Sequence, residues 1–438
     1  MKVVKFGGSS LADAHQFKKV KDIILSDEQR KVIVVSAPGK RFKSDNKITD
    51  LLYLCHAHVK YGVSYDTIFN TIKERFEEIN EALGLGVDLD KEFKTIKDNI
   101  SKDNLDYIVS RGEYLSALLL SKYLGYDFID ARDFISFKYD GSIDFEMTKT
   151  RFDSLKLKHR TMVVPGFYGL GVSGRIKIMS RGGSDITGSI LADLLDAEIY
   201  ENFSDVSGIL SADPSIIKNP KSIPIITYAE LRELSYLGAK VLHEEAIFPV
   251  KAKNIPINIL NTNHPEDKGT MILHDTYEYD MTHEVSMITG ISGKKDFISI
   301  TVYKSGSSAM VGVIKKALEI LEEYKVSVEN MPCGIDSFSL IVSKDSVNDI
   351  LYEMVDEIKK ALDTKSVSIS EPIALIGIVG RAMVNSPGIS GKIFGELGNH
   401  NINIETISQG ADELNIMVGV KNEDFEKTIS VIYERFIR

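Results

Sequence analysis

The sequence predicts an α/β protein in which a parallel sheet with helices on both faces is followed by a smaller region built from a repeat. The first observation is a strand over residues 1–6, then apolar residues at helical spacing from Phe17 to Ile24, then the β-branched run 32–35. This order is typical of a β-α-β unit whose strands are buried on both faces. The second is helical spacing of apolar residues from Asp45 to about Leu124. The third is an internal repeat, because residues 327–336 align with residues 403–412.

Composition and charge limit the class of protein. The chain has 438 residues, enough for about three domains. Its net charge of -10 argues against nucleic acid or an anionic membrane as a partner. Cys55 and Cys333 are too few for a disulfide framework and lack metal-ligand spacing, so a reducing cytoplasm is expected. No signal peptide and no window of about 20 apolar residues is found, so we expect no membrane anchor.

The first strand runs directly into two glycines. Gly7 and Gly8 lack a Cβ and can aim consecutive N–H groups at an anion, and the helix expected next adds its positive N-terminal end. Lys5 adds a mobile charge. The pattern favours a phosphate loop, although its spacing is not that of a Walker A motif. An ordinary tight strand-to-helix turn has the same local pattern, so both interpretations stay open at this point.

Two stretches around the helical region carry candidate chemistry. Ser36–Gly39 follows the second strand, with Thr49 further on, and Ser110–Glu113 lies inside the helical stretch. Local pattern alone gives them structural explanations, in which Thr49 is a helix N-cap and Glu113 is a solvated first-turn acid stabilised by the helix dipole.

A second glycine pair lies in the string Arg181-Gly-Gly-Ser-Asp185, which opens a helix marked by apolar residues from Ile186 to Leu194. An arginine, two glycines, a serine and an aspartate at a helix start form a second anion-facing group. The local alternative is a helix capped by Ser184, with Asp185 complementing the dipole and Arg181 in a surface ion pair.

The string Lys5-Phe-Gly-Gly-Ser-Ser10, followed by Leu-Ala, resembles the N-terminal signature of aspartate kinases, which are members of the amino-acid kinase family, and Arg181–Asp185 reproduces a second string of that family. The resemblance implies a three-layer α/β/α catalytic domain of the carbamate kinase type over residues 1–280. It implies two ferredoxin-like ACT domains after it, over residues 290–365 and 370–438. The implied reaction transfers the γ-phosphoryl group of ATP, with Mg²⁺, to the side-chain carboxylate of L-aspartate. Since the sequence ends at residue 438, we expect no fused homoserine dehydrogenase.

The resemblance also implies roles for individual residues. Lys5 and Asp185 are implied to be catalytic, with Asp185 orienting Lys5 or organising the metal site, and no direct metal ligand is assigned. Arg181 is implied to hold one carboxylate of aspartate, since a guanidinium binds a carboxylate bidentately, and Glu113 to hold its ammonium. The implied ATP-binding residues are Lys5, Gly7, Gly8, Ser9, Ser204, Asp205 and Leu210, and the implied aspartate-binding residues are Ser36, Thr49, Glu113, Phe167, Arg181 and Ser184.

The chain departs from the family pattern on the nucleotide side. Ser204 stands where threonine is usual and Leu210 where tyrosine or methionine is common, so base contacts cannot be carried over. In addition, Glu244-Glu245 replaces a usual proline-containing continuation.

Each copy of the C-terminal repeat is predicted to be a β-α-β-β-α-β unit, and residues 407–416 are close to the ACT form. A bare sheet edge in such a unit usually pairs with its twin, so we expect a homodimer or a higher homo-oligomer. The resemblance implies feedback inhibition by L-lysine, with L-threonine as a rival effector, at a site lined by Met310, Gly312, Val313, Val328 and Glu329. The alternative is a dimerisation domain without a ligand, above all for the second copy.

Two other functions stay open. One is another acyl-phosphate kinase of the same fold, acting on glutamate or acetylglutamate; Glu113 and the paired ACT modules disfavour it, because a free α-amino group calls for a carboxylate partner. The other is an inactive ACT sensor that only binds an amino acid, which the combination of Lys5, Arg181 and Asp185 disfavours.

Overall fold

The structure, a computed structural model, describes residues 1–157, 160–180, 182–239, 242, 244–282, 286–305, 311–364 and 366–438. These residues form two compact units. The first comprises Met1–Ile209, Ser222–Tyr228 and Val241–Thr276, and the second comprises Leu210–Lys221, Ala229–Lys240 and Tyr277–Arg438. The domain boundaries given above stay predictions.

The chain up to Leu273 alternates short strands with helices. Its strands are β1 (Lys2–Phe6), β2 (Arg30–Val35), β3 (Asp127–Phe128), β4 (Met162–Pro165), β5 (Tyr168–Leu170), β6 (Ile176–Ile178), β7 (Ile199–Ser204), β8 (Ile209–Leu210), β9 (Ser222–Ile223), β10 (Ile225–Thr227), β11 (Ile257–Asn261) and β12 (Thr270–Leu273). Its helices are α1 (Ala14–Leu25), α2 (Ile48–Lys60), α3 (Asp66–Ala82), α4 (Leu89–Asp98), α5 (Leu105–Leu124), α6 (Phe145–Ser154), α7 (Gly183–Leu194), α8 (Tyr228–Tyr236) and α9 (Glu244–Lys251).

The sheet of the first unit has the order β10-β12-β11-β7-β1-β2-β4-β3. The pairs from β11 through β7, β1, β2 and β4 to β3 are parallel, and β12 runs antiparallel to β11. The predicted β-α-β unit is therefore confirmed, with β1 and β2 as neighbours at the centre of the sheet. The antiparallel strand β12 and the hairpin β5–β6 were not predicted.

The central strands are buried on both faces. Val4 and Ile33 pack in a core with the apolar faces of α1, α2, α3 and α5. Val3 and Val34, which alternate with them and so point to the other face, are equally buried, and α7 packs against β1, β2 and β7. The layered α/β/α class predicted from the sequence is thus confirmed.

The second unit contains the repeat. Its strands are β13 (Gly290–Tyr303), β14 (Val328–Asn330), β15 (Ser337–Ser343), β16 (Ser366–Ile369), β17 (Ile373–Val379), β18 (Thr406–Gln409) and β19 (Asn415–Lys421). Its helices are α10 (Tyr277–Asp280), α11 (Val313–Glu323), α12 (Lys344–Val347), α13 (Leu351–Ala361), α14 (Ile389–Asn399) and α15 (Phe425–Phe436).

One continuous sheet joins both copies of the repeat, in the order β14-β15-β13-β17-β19-β18, with β16 also paired to β13. The long strand β13 takes part in both halves, because residues 290–294 pair with β17 whereas residues 297–303 pair with β15. Helices α11 and α13 cover the first copy, and α14 and α15 cover the second. The ferredoxin-like repeat is confirmed.

No helix in the described part of the chain combines the length and the apolar character that crossing a membrane requires.

Candidate active site

The strands β1, β2, β4 and β7 have their carboxyl ends at one edge of the sheet. Lys5 lies near the end of β1, Ser36 follows β2 and Phe167 follows β4. Backbone hydrogen bonds join the loops at this edge. The Gly7 N–H donates to the carbonyl of Phe203 at the end of β7 (2.9 Å), and the Gly166 N–H donates to the carbonyl of Val35 at the end of β2 (2.9 Å). In parallel sheets this edge is where ligands bind.

Two glycines let the loops after β1 and β2 touch. The Gly39 N–H donates to the Gly8 carbonyl (2.7 Å). A Cβ placed on Gly39 would lie 2.7 Å from the Gly8 carbonyl carbon, and one on Gly8 would lie 2.8 Å from the Ala37 carbonyl oxygen. Neither distance is possible for a real side chain, so both glycines are required by this contact. We call Gly7 and Gly8 the glycine cradle. The glycine cradle and the Ser36–Gly39 loop therefore form one continuous backbone surface.

Lys5 and Asp185 form an ion pair at this edge of the sheet. Lys5 is 8% exposed, and its Nζ lies 2.6 Å from Asp185 Oδ1. Asn202 joins both, since its Nδ2 donates to Asp185 Oδ1 (2.8 Å) and its Oδ1 accepts from Lys5 Nζ (3.4 Å). Because the group is partly desolvated, its charges act more strongly than surface charges do. The pair supplies one fixed ammonium next to the glycine cradle.

The turn after the cradle differs from the prediction. Gly8–Leu11 form a single 3-10 turn, and α1 begins only at Ala14, with Asp13 accepting from the Gln16 N–H (2.9 Å). The expected contribution of an α-helix N-terminus at the glycine pair is therefore wrong, since the 3-10 turn separates this pair from the start of α1. Ser9 lies half-buried in that turn.

Glu113 is not the solvated first-turn acid that its local pattern indicated. It lies in the third turn of α5 and is 4% exposed. Burial raises the pKa of its carboxyl to about 8, against a hydrogen bond from the backbone of Ala37 that acts in the opposite direction. Its Oε2 has no hydrogen-bond partner among the described residues. A buried, unsatisfied carboxyl oxygen of this kind is costly unless a ligand binds it.

The neighbouring Gly112 explains how Glu113 reaches the loop after β2. A Cβ on Gly112 would lie 2.6 Å from the Ala37 Cβ and 3.3 Å from Ile48 Cγ2. Only glycine allows α5, α2 and this loop to approach so closely. The contact brings Glu113, half-buried Ser36 and Thr49 into one region. Thr49 is not an N-cap, because Lys47 takes that position in α2.

The loop after β4 packs on the start of α7. Phe167 has a φ of 80°, and its N–H donates to Thr187 Oγ1 (3.1 Å). A Cβ on Gly166 would lie 2.7 Å from Ser184 Cα. Ser184 is 7% exposed and does not cap α7, whose N-cap is Gly182 with a φ of 79°. Phe167 and Ser184 are thus neighbours, as the pocket prediction requires.

The predicted nucleotide-side residues lie after β7. Ser204 ends β7, and its Oγ accepts from the Val206 N–H (3.4 Å), while the side chain of Asp205 is exposed. The loop is held by Asn261, whose Nδ2 donates to Ser207 Oγ (2.9 Å). Leu210 ends β8 and is grouped with the second unit. Its role in nucleotide binding stays a prediction.

A separate cavity of about 550 Å³ lies between the hairpin β5–β6 and the start of α5. It is lined by His56, residues 102–106, residues 137–141 and residues 171–177 except Gly174. None of the predicted site residues lines it, so the cavity and the predicted site are different places.

The predicted effector residues lie in the first copy of the repeat. Gly312, with a φ of 88°, is the N-cap of α11, and buried Val313 is its first residue. Val328 and Glu329 lie half-buried in β14. The Tyr236 hydroxyl donates to Glu329 Oε2 (2.6 Å), and burial together with this hydrogen bond raises the pKa of Tyr236 to about 12.

Two predicted residues, Arg181 and Met310, fall outside the described residues. Their roles stay predictions. Among the described residues, no group of three or more histidine, cysteine, aspartate or glutamate side chains could hold a metal ion.

Comparison with known proteins places this geometry in a family. Residues 1–261 match the model of the amino acid kinase family, and residues 376–436 match an ACT domain model. Aspartokinase 3 of Bacillus subtilis is 35% identical over an alignment that spans 100% of this chain and 98% of that protein. The chain belongs to the aspartokinases of the amino acid kinase family.

Solved aspartokinases have the same fold. The aspartate kinase of Clostridium acetobutylicum is 48% identical, with a TM-score of 0.92 over 100% of both chains. Aspartokinase III of Escherichia coli is 24% identical and resembles the chain in fold, with a TM-score of 0.78 for its complex with aspartate and ADP and 0.77 for its complex with lysine and aspartate. These alignments cover 99 to 100% of each chain.

Asn202 and Tyr236 are among the polar residues of this aspartokinase that the sequence reasoning missed. Asn202 lies opposite Lys5 in the pairing of β1 with β7, a register that could be found only by knowing which strands are neighbours. Tyr236 contacts Glu329 although 93 residues separate them. No local pattern around Tyr236 indicates this contact.

Proposed function

We propose that this aspartokinase transfers the γ-phosphoryl group of ATP to the side-chain carboxylate of L-aspartate, giving ADP and 4-phospho-L-aspartate, with the residue roles given below. The observation that carries these roles is the joining of two surfaces. The glycine cradle with Lys5 lies against the loop after β2, and the backbone of that loop contacts Glu113 of α5, a buried carboxyl with an oxygen free for a ligand.

On the phosphate side, catalysis of phosphoryl transfer depends on positioning and on stabilising charge that spreads over the transferred group and the leaving oxygen. The backbone N–H groups of Gly7 and Gly8, with Ser9, bind the phosphates, and the ammonium of Lys5 stabilises the transferred charge. Asp185 and Asn202 keep that ammonium in place. Ser204, Asp205 and Leu210 bind the rest of the nucleotide.

On the acceptor side, the reacting group is the side-chain carboxylate of aspartate, which is ionised at neutral pH and needs no general base. Glu113 accepts the α-ammonium, and Arg181 holds the α-carboxylate bidentately. Ser36, Thr49, Phe167 and Ser184 complete the pocket and orient the side-chain carboxylate towards the γ-phosphate.

Mg²⁺ fits this site as a partner of the nucleotide. The ion commonly keeps several waters and is bound through substrate phosphates and one or two carboxylates, so a dedicated protein cage is not required. Among the described residues, the carboxylate of Asp185, which pairs with Lys5 beside the glycine cradle, is a donor suited to this role. When bound, Mg²⁺ supplies further neutralisation of phosphate charge.

We also propose feedback inhibition by L-lysine at the first copy of the repeat. Gly312, Val313, Val328 and Glu329 lie around the start of α11 and β14, and Met310 is assigned to the same site. Backbone N–H groups at a helix start suit the carboxylate of an amino acid, and Glu329 suits its ammonium. The complex of aspartokinase III with lysine supports this choice of effector. A homodimer formed through the ACT repeats in a reducing cytoplasm completes the proposal.

One assay tests the function. ADP release is measured with L-aspartate, L-glutamate or N-acetyl-L-glutamate, each with and without L-lysine, L-threonine and L-methionine. We expect turnover with aspartate, inhibited by lysine. Preference for glutamate or acetylglutamate would instead identify another acyl-phosphate kinase, and amino-acid binding without turnover would identify a sensor.

A further inference from the structure

Arg75 is a charged residue in the apolar face of α3. It lies on the same face of the helix as Ile72, Phe76 and Ile79, which pack in the core. Arg75 is 2% exposed. A guanidinium at such a position is expensive to bury unless its hydrogen bonds are satisfied. Its Nε has no hydrogen-bond partner among the described residues, so the contacts of its two terminal nitrogens indicate why it is there.

The guanidinium of Arg75 bonds to three residues in two segments of the chain. Its Nη2 donates to both carboxylate oxygens of Asp45 (2.7 and 2.9 Å). Its Nη1 donates to the carbonyl of Gly39 (3.1 Å) and, more weakly, to the carbonyl of Ala12 (3.4 Å). One planar group thus links the loop after β2 to the end of the turn after β1.

The two carbonyls belong to the two surfaces of the active site. Ala12 follows the 3-10 turn that continues the glycine cradle, and Gly39 ends the Ser36–Gly39 loop. The Gly39 N–H donates to the Gly8 carbonyl (2.7 Å), and the carbonyl of the same residue accepts from Arg75. Arg75 therefore adds a side-chain link between two loops that this backbone hydrogen bond also joins.

Asp45 has a second partner that makes a useful comparison. Arg41 donates to Asp45 through its backbone N–H (2.9 Å) and its Nε (3.0 Å), but it is a partly exposed residue that donates to neither Gly39 nor Ala12 in the hydrogen bonds described for it. Both arginines therefore neutralise the Asp45 carboxylate, whereas of these two residues Arg75 donates to the carbonyls of Gly39 and Ala12.

We propose that Arg75 is a positioning residue that fixes the glycine cradle relative to the Ser36–Gly39 loop on the acceptor side. This proposal rests on the function proposed above. Transfer in line requires the acceptor oxygen and the γ-phosphate at a set distance, and a displacement of about 1 Å can cost about a hundredfold in rate. Each loop still binds its own substrate when Arg75 is changed, so the loss falls on kcat.

The experiment compares Arg75→Lys, the double variant Arg75→Met/Asp45→Asn and the control Arg41→Gln. Lysine keeps the charge but cannot bond to Asp45 and both carbonyls at once. The double variant removes both members of the buried pair, so it leaves no unpaired buried charge to prevent folding. We expect kcat to fall about tenfold or more in the first two, with both KM values within about threefold of wild type, and Arg41→Gln to behave as wild type.

Hydrogen exchange gives a readout that does not depend on the substrate. Peptides covering residues 6–13 and 36–44 should exchange faster in Arg75→Lys than in wild type or Arg41→Gln, because the Gly39 N–H loses its fixed acceptor. A double variant with wild-type kcat would show that Arg75 only compensates Asp45, and unchanged exchange in Arg75→Lys would overturn the proposal even if aspartate is not the substrate. Wild type without aspartate-dependent turnover refutes the proposed function alone.

Discussion

Replacing Glu113 by glutamine should change how the enzyme's affinity for aspartate depends on pH. With a pKa of about 8, the Glu113 carboxyl is ionised in about 1% of free enzyme at pH 6, about 9% at pH 7 and half at pH 8. Only the ionised form can pair with the α-ammonium of aspartate. The KM for aspartate in wild type should therefore fall about tenfold from pH 6 to pH 7 and about fivefold from pH 7 to pH 8, then level off.

The assay is initial-rate ADP release at saturating ATP, with aspartate varied at each pH. In Glu113→Gln the KM for aspartate should be high and independent of pH, because an amide does not titrate. The KM for ATP, measured in the same series, should stay flat in both proteins and serves as the internal control. A pH-independent aspartate KM in wild type, or the same pH dependence in the variant, would refute this reasoning.

Stability gives a second check of the same carboxyl. Its folded pKa lies above its ordinary value of 4.5, so the folded state binds the proton more tightly and loses stability as pH rises from about 4.5 to 8. The difference between these pKa values corresponds to about 5 kcal/mol as an upper bound. Without substrate, Glu113→Gln should therefore melt at a higher temperature than wild type at pH 8, and the two should converge near pH 5.

Three further predictions concern other parts of the chain. Lys5→Met should lower kcat about a hundredfold or more, because it removes the ammonium that stabilises the transferred charge; near-normal turnover would exclude the role. Gly39→Ala should lower kcat and raise the KM for ATP, since its Cβ would lie 2.7 Å from the Gly8 carbonyl carbon, whereas Gly395→Ala, which meets no atom within 4 Å, should behave as wild type. Lysine titrations should show weaker inhibition of Glu329→Ala than of wild type; unchanged potency would place the effector elsewhere.

Much of the fold followed from the sequence because its signals are local. The run 32–35 and the alternation of strands with helical spacing predicted a parallel sheet, and the alignment of residues 327–336 with 403–412 predicted the repeat. The short strand β3 and the antiparallel strand β12 carry too few residues for a periodic pattern, so they were missed.

The site was predicted less completely because its properties arise from packing. The burial that raises the pKa of Glu113 depends on Gly112 meeting Ala37, residues far apart in the chain. Local rules therefore indicated a solvated acid, whereas resemblance to the family indicated a substrate residue. Asn202 and Arg75 were missed for the same reason, since neither stands next to a recognisable string.

The long strand β13 means that the second copy of the repeat is not one continuous stretch of the chain. Residues 290–294 complete the sheet of the second copy by pairing with β17, and the chain then passes through the whole first copy before it returns to residue 373. The first copy is in effect an insertion within the second. A fragment starting at residue 370 would lack this strand and would leave one edge of β17, buried at all seven positions, open to pairing with other chains. Such a fragment should aggregate, whereas one starting before residue 290 should fold.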